Sequence, residues 1–239
     1  MRVRRSGMPP AMPDDQQPPA VLFDVDGTLV DSNYLHVHAW YRAFSDLRIP
    51  VQSWAIHRSI GMDGEKLLEA LAADADDDAR NQLKELHTRY YRETTPLLSP
   101  LPGAREILDR IDSLGLQVVL ATSAPEDELA TLRDVLDRDD LISTATSSED
   151  VETAKPEPDI VKIALARADV TPQQAVFVGD AVWDAKASAA AGVTCIGVLS
   201  GGVSRGELED AGAEVVFDNA LDLCAHLAES PVQRLIDMR

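Results

Sequence analysis

Cysteine is scarce in this chain, and so is positive charge. The two cysteines among 239 residues, Cys195 and Cys224, sit in apolar surroundings and form no metal-ligand spacing. They are expected as buried thiols of a reducing compartment, the cytoplasm. Lysine and arginine total 22 against 41 aspartates and glutamates, a net charge of −19. Such a chain repels nucleic-acid phosphates and anionic membranes, so neither nucleic acid nor a membrane is expected as a partner. No run of about eighteen apolar residues occurs, which excludes a helical membrane span. The basic start, Arg2 to Arg5, leads into glycine and proline instead of an apolar run, so it is no signal peptide. Residues 1–19 are rich in proline, glutamine and charge and read as a disordered leader. No repeat appears. What is present is enough apolar material for a full core: 45% of residues are hydrophobic, in a chain sized for one large domain or a domain with an insert.

The stretch that organises the chain is Val21-Leu22-Phe23-Asp24-Val25-Asp26-Gly27-Thr28-Leu29-Val30. Residues 20–25 have the length and bulk of a strand buried on both faces. Gly27 then breaks it. The two-residue period points Asp24 and Asp26 to one side, so they leave the sheet edge as a pair. Paired carboxylates repel unless something cationic sits near them, which calls for a metal, a shared proton or both. A calcium loop fails on register. With Asp24 first, Leu29 stands where glycine is required and Leu35 where glutamate is required. An ordinary strand-to-turn sequence would also use aspartates, so the rest of the chain has to decide.

Residues 33–47 read as an amphipathic helix capped by Ser32 or Asn33, with Leu35, Ala39, Ala43, Phe44 and Leu47 on one face. Residues 50–64 are broken by proline and two glycines, and 65–73 and 76–94 read as further helices. No strand signal appears across 33–99. From Leu101 the pattern changes to strands at 117–121, 142–146, 175–178, 193–198 and 215–217. They alternate with helices at 104–114, 125–136, 156–168, 183–191, 205–211 and 221–229. That alternation predicts an α/β fold with a doubly wound parallel sheet and right-handed crossovers. The helical stretch interrupts it as an inserted cap. The expected organisation is a core of 20–32 and 100–230, a cap of 33–99, and a C-terminal tail of 231–239.

Ligands of open parallel sheets bind beyond the carboxyl ends of the strands. The first strand ends in Asp24 and Asp26. The second ends in Thr122-Ser123 before a helix. Lys155-Pro156-Glu157-Pro158-Asp159 leads into the next helix, and the fourth strand ends in Gly179-Asp180, with Asp184 four residues on. Each has an ordinary explanation alone, as a cap or a surface lysine. Together they supply carboxylates for a hard oxygen cage that suits magnesium. Lysine, hydroxyl and helix N–H groups suit a phosphate. Phosphoryl transfer to a carboxylate, followed by hydrolysis, fits this inventory.

The order D-x-D-G-T, T-S, K-P-x-P-D, G-D-x-x-x-D resembles the haloacid dehalogenase superfamily over residues 20–229. Within it, the resemblance is to the helical-cap subgroup of phosphoglycolate phosphatases and β-phosphoglucomutases, which have a Rossmann-like core. The resemblance implies Asp24 as nucleophile and Asp26 as the acid that protonates the leaving alcohol and later activates water. It implies Thr122, with the backbone N–H groups of Asp26 and Ser123, as the phosphate cradle, and Lys155 as the neutralising cation. It further implies Mg²⁺ on Asp24, the Asp26 carbonyl, Asp180 and Asp184. Ser123 departs mildly from the asparagine often found there.

The second aspartate, Asp26, argues against carbon–halogen hydrolysis. A phosphosugar mutase is the closer alternative, since His36 and Trp40 occupy the first cap helix much as in that subgroup. Against it, Gly179 replaces the usual glutamate, and Gly61 is followed by Met62-Asp63-Gly64 without an arginine. A phosphonatase using a cap lysine, here Lys66, fits less well, and a non-catalytic binding module would be expected to have lost a motif residue. The expectation is a monomeric Mg²⁺-dependent phosphatase of a small phosphorylated metabolite, such as phosphoglycolate or a sugar phosphate. His36, His57 and Arg58 are its substrate-contact candidates. His38, His87 and His226 are expected at surfaces or interfaces, and Trp183 in packing.

Overall fold

A computed structural model describes residues 17–150 and 155–239 of the protein. Most of the expected leader therefore lies outside the described residues. Its end does not hang free, because the Pro18 and Pro19 carbonyls accept hydrogen bonds from the Gln117 side chain and backbone at 2.7 and 2.9 Å.

The first strand, β1 (Ala20–Phe23), is fully buried, as its unbroken apolar run requires. Four helices follow: α1 (Asn33–Asp46), α2 (Ser53–Ser59), α3 (Gly64–Leu71) and α4 (Asp77–Thr94). Then come α5 (Ala104–Ser113), β2 (Gln117–Ala121), α6 (Glu126–Leu136), β3 (Ile142–Thr146) and α7 (Asp159–Ala168). The chain continues with β4 (Ala175–Gly179), α8 (Val182–Ala191), β5 (Thr194–Val198), α9 (Arg205–Ala211), β6 (Ala213–Phe217), α10 (Ala220–Ala225) and α11 (Val232–Asp237).

The six strands form one parallel sheet in the order β3-β2-β1-β4-β5-β6. The winding reverses between β1 and β4, which opens a crevice at their carboxyl ends. Strand alternation sorts the core into two layers. Val21, Phe23, Val118 and Leu120 face α5, α6, α10 and α11. Ala20, Leu22, Val119 and Phe177 face α7 and α8.

Helices α1–α4 form the cap around their own cluster, including Trp40, Phe44, Ile56, Leu68 and Leu83. Asp63 and Asp76 cap α3 and α4, each accepting a backbone N–H at 2.9 Å. The chain enters and leaves the cap through two linkers lying side by side. The Asp31 N–H donates to the Ser99 carbonyl, and the Leu101 N–H to the Leu29 carbonyl, both at 2.9 Å.

Three expectations differ from the structure. Residues 53–59 form a helix, too short for its period to stand out beside Pro50 and Gly61. Ser32 precedes α1 but gives its hydroxyl to Asp26, so α1 has no side-chain cap. The expected tail contains α11, whose Val232 and Leu235 are buried in the larger core layer. Leu235→Ala should therefore lower unfolding free energy by about 2–5 kcal/mol, the cost of a core leucine. Urea titration checks this; a dispensable tail would leave the midpoint unmoved.

Candidate active site

The crevice floor begins where β1 runs out. The Asp24 N–H still donates to the Val178 carbonyl at 2.9 Å, so Asp24 extends the strand register by one residue. The chain then turns tightly, with the Leu29 and Val30 N–H groups both reaching the Val25 carbonyl at 2.9 Å. Gly27 makes the turn with φ +75°. A side chain there would be strained, and its Cβ would fall 2.2 Å from Asn33 Nδ2 and 2.6 Å from Asp180 Oδ2. The turn thereby delivers two donors to Asp180: Thr28 Oγ1 to Oδ1 at 2.8 Å, and Asn33 Nδ2 to Oδ2 at 2.9 Å.

Lys155 reaches the same floor from the loop before α7. Its ammonium is 1% exposed and lies 2.6 Å from Asp24 Oδ1 and 2.7 Å from Asp184 Oδ1. Asp184, in the first turn of α8, also accepts the Ala181 N–H at 3.0 Å. Asp24, Asp180 and Asp184 are all buried and offer oxygens within 4.8 Å of one another. Three carboxylates thus face one ammonium. Burial pushes Asp24 well above the ordinary carboxylate range, against the pull of Lys155 and with repulsion from Asp184, Asp180 and Asp26 added. Burial and Asp184 push Asp180 up to about 7. Lys155 is raised despite burial, because Asp184 and Asp24 hold its proton. Buried negative charge in excess of its counter-charge is costly. An all-oxygen cluster of this kind fits a hard divalent cation such as Mg²⁺.

Asp26 stands on the opposite wall. Its Oδ1 accepts from Ser32 Oγ at 2.5 Å and lies 3.4 Å from His36 Nε2 on α1. The same His36 nitrogen is 3.2 Å from Glu128 Oε1 on α6, and its Nδ1 is 3.2 Å from His87 Nε2 on α4. The Tyr91 ring stacks on His36 at 3.9 Å. Burial alone would raise Asp26, but the hydrogen bonds from His36 and Ser32 outweigh it and the carboxyl lies below its ordinary value. Burial likewise opposes a charge on His36, but Glu128 and Asp26 raise it to about 10. Burial and His36 press His87 well below its usual value.

Both walls, with Thr122 and Ser123, line a cavity of about 380 Å³ between cap and core. The Thr122 hydroxyl accepts the Ala124 N–H at 3.0 Å, and the Ser123 hydroxyl is buried without a hydrogen-bond partner. A family model, haloacid dehalogenase-like hydrolase, matches residues 21–198. The chain belongs to that family. As a haloacid dehalogenase-like hydrolase it is an enzyme built on a parallel sheet with an inserted helical cap. A phosphoglycolate phosphatase of Pseudomonas putida is 33% identical over 201 residues, covering 81% of this chain and 74% of that protein. A phosphorylated carbohydrates phosphatase of Thermotoga maritima is 30% identical over 176 residues, 73% of this chain and 82% of that one. The crystal structure of a hydrolase from Pseudomonas syringae superposes with a TM-score of 0.85 at 37% identity, covering 88% of this chain and 98% of that one.

Within this hydrolase, Asp24, Asp26, Thr122, Ser123, Lys155 and His36 line the cavity, and Asp180 and Asp184 lie beneath it. His57 and Arg58 do not line it. His57 Nε2 meets the Gly201 carbonyl at 2.9 Å and its ring packs on Tyr34, while Arg58 pairs with Glu207 of α9 at 2.5 Å. They fasten α2 to the core, because the last turn of that short helix faces the loop after β5. His87, expected at a surface or an interface, lines the cavity between cap and core and stacks on Trp40 at 4.2 Å. Glu128 also joins the site; its place in the first turn of α6 reads in sequence only as a favourable helix-end charge. Trp183 packs under the cap, within reach of a side chain placed at Gly61. Among the described residues no helix is long and apolar enough to cross a membrane.

Lys155→Met would leave the floor carboxylates without their counter-charge. In metal-free buffer it should cost about 3–5 kcal/mol of stability, as removal of one partner of a buried pair does. Arg58→Ala removes an exposed pair and should cost under about 1 kcal/mol. Denaturant titration of both variants checks the contrast.

Proposed function

We propose that the protein is a Mg²⁺-dependent phosphatase of a small phosphomonoester, working through an aspartyl-phosphate intermediate. The observation that carries this reading is Lys155 in contact with both Asp24 and Asp184 at the floor, with Asp26 lining the same cavity. The names of the Pseudomonas putida and Thermotoga maritima relatives support it.

Asp24 serves as the nucleophile. Its carboxylate oxygen attacks phosphorus, the ester P–O bond breaks, and the phosphoryl group rests on Asp24 until water displaces it. Lys155 holds Asp24 oriented and offsets charge on it and on the phosphoryl oxygens. The Thr122 hydroxyl, the unpartnered Ser123 hydroxyl and neighbouring N–H groups cradle the phosphate. Asp26 and His36 hold one proton between them at the mouth of the site. Asp26 hands that proton to the departing alkoxide and afterwards takes one from the attacking water. Mg²⁺ would be held by Asp24, Asp180, Asp184 and the Asp26 carbonyl, and would supply charge neutralisation that keeps Asp24 ionised. The two aspartates are given separate jobs by position: Asp24 touches Lys155 on the floor, and Asp26 lies beside Ser32 and His36. The mutase alternative lacks support in the cap, where Gly61 is followed by Met62-Asp63-Gly64 without the arginine that would hold a second phosphate.

Asp24→Asn should abolish phosphate release, since an amide is a poor nucleophile; appreciable turnover by that variant would sink the assignment. EDTA should silence the wild type and Mg²⁺ should restore it. Asp26→Ala should slow a sugar phosphate more than p-nitrophenyl phosphate, whose leaving group needs no proton. Equal losses on the two esters would remove Asp26 from proton transfer.

A further inference from the structure

The cap end of the cavity carries chemistry that the phosphate site does not use. Glu65 of α3 and Lys84 of α4 meet there as a directly hydrogen-bonded ion pair, both part of the cavity lining. Thr88, one helical turn beyond Lys84, also lines the cavity, and Trp40, Met62 and Leu67 supply an apolar wall. We infer that this end selects an uncharged polyol, so that the substrate is a sugar monophosphate and not a phosphorylated carboxylic acid. The inference rests on the phosphatase reading above.

Charge is the first argument. A second anionic group on the substrate needs an unopposed cation. Lys84 is already neutralised by Glu65. His36 is held between Asp26 and Glu128, and His87 beside it is pressed towards its neutral form. Lys155 lies on the floor, bound to Asp24 and Asp184. A carboxylate brought to Lys84 would lie against Glu65, and like charges at that range repel. The same repulsion opposes the second phosphate of a bisphosphate.

Hydrogen-bonding character is the second argument. A sugar hydroxyl both donates and accepts. An ammonium beside a carboxylate offers it a donor and an acceptor within one side chain's reach, with the Thr88 hydroxyl adding either. The pair is partly exposed, and such pairs are weakly held, so hydroxyls can insert between its members. The C–H faces of a sugar match the apolar wall.

The lining is the third. The cavity of about 380 Å³ is lined by both the floor residues Asp24 and Lys155 and the cap residues Glu65 and Lys84. A pentose or hexose phosphate has several hydroxyls to offer such a lining, where a phosphorylated two-carbon acid has only its carboxylate.

The test measures phosphate release by the Mg²⁺-loaded full chain from p-nitrophenyl phosphate, pentose and hexose monophosphates, phosphoglycolate and 3-phosphoglycerate. The expected result is a kcat/KM at least about tenfold higher for the best sugar phosphate than for either acid. Glu65→Gln should then shift the acid-to-sugar ratio about tenfold towards the acids, because the amide no longer repels them. Taking a ratio within one variant cancels any loss of folded protein. Hydrolysis of p-nitrophenyl phosphate accompanied by equal or better use of the acids overturns the inference and leaves the phosphatase reading standing. So does hydrolysis of that ester with none of the metabolites used, or a ratio unmoved in Glu65→Gln. No release from any ester overturns both.

Discussion

Everything at the crevice depends on one buried cation. Lys155 holds Asp24 and Asp184 at hydrogen-bonding distance and brings together the ends of β1 and α8 and the loop before α7. An ammonium excluded from water is stable only among carboxylates, and the carboxylates only around it. The balance is incomplete, because three carboxylates share one ammonium, and among the described residues Asp180 is met by Thr28 and Asn33 donors and forms no direct ion pair. The floor therefore has the charge of a candidate cation site, and a bound cation would in turn favour an anionic ligand beside it.

The mouth of the site works by the opposite arrangement. At the floor burial dominates and carboxyl groups hold protons too tightly. Around Asp26 the hydrogen bonds from Ser32 and His36 reverse that effect. Glu128 from the core and His87 from the cap flank His36, so the proton-handling group is assembled from both sides of the cleft. Beyond it the lining changes again to the paired Glu65 and Lys84, where no net charge is on offer. The proposed nucleophile and proton donor thus come from the core, and the proposed specificity pair from the cap.

The core was readable because its signals are local. Apolar runs gave the strands, and Asp24, Thr122 and Asp180 each directly follow one, while Lys155 stands in the loop before α7 and Asp184 in the first turn of α8. Asp24, Thr122, Lys155 and Asp180 could be placed at one edge without coordinates. The cap resisted because its site depends on which helix faces which. His87 sits on a strongly polar helix, and nothing in its spacing says that it stacks on Trp40. His57 and Arg58 looked available beside two glycines, but α2 turns them to Gly201 and Glu207. Ser32 looked like a helix cap because the sequence before α1 satisfies that pattern; its hydroxyl had a stronger, charged acceptor in Asp26.

The paired linkers have a consequence for timing. Residues 29–31 and 99–101 cross between the two bodies side by side, tied by backbone hydrogen bonds. Were the cap to swing about these linkers, it would carry α1 and His36 with it while Asp26 stayed with the sheet. The His36–Asp26 contact would then part as the cleft opened and re-form as it closed, so that under the proposed mechanism proton delivery would wait for enclosure.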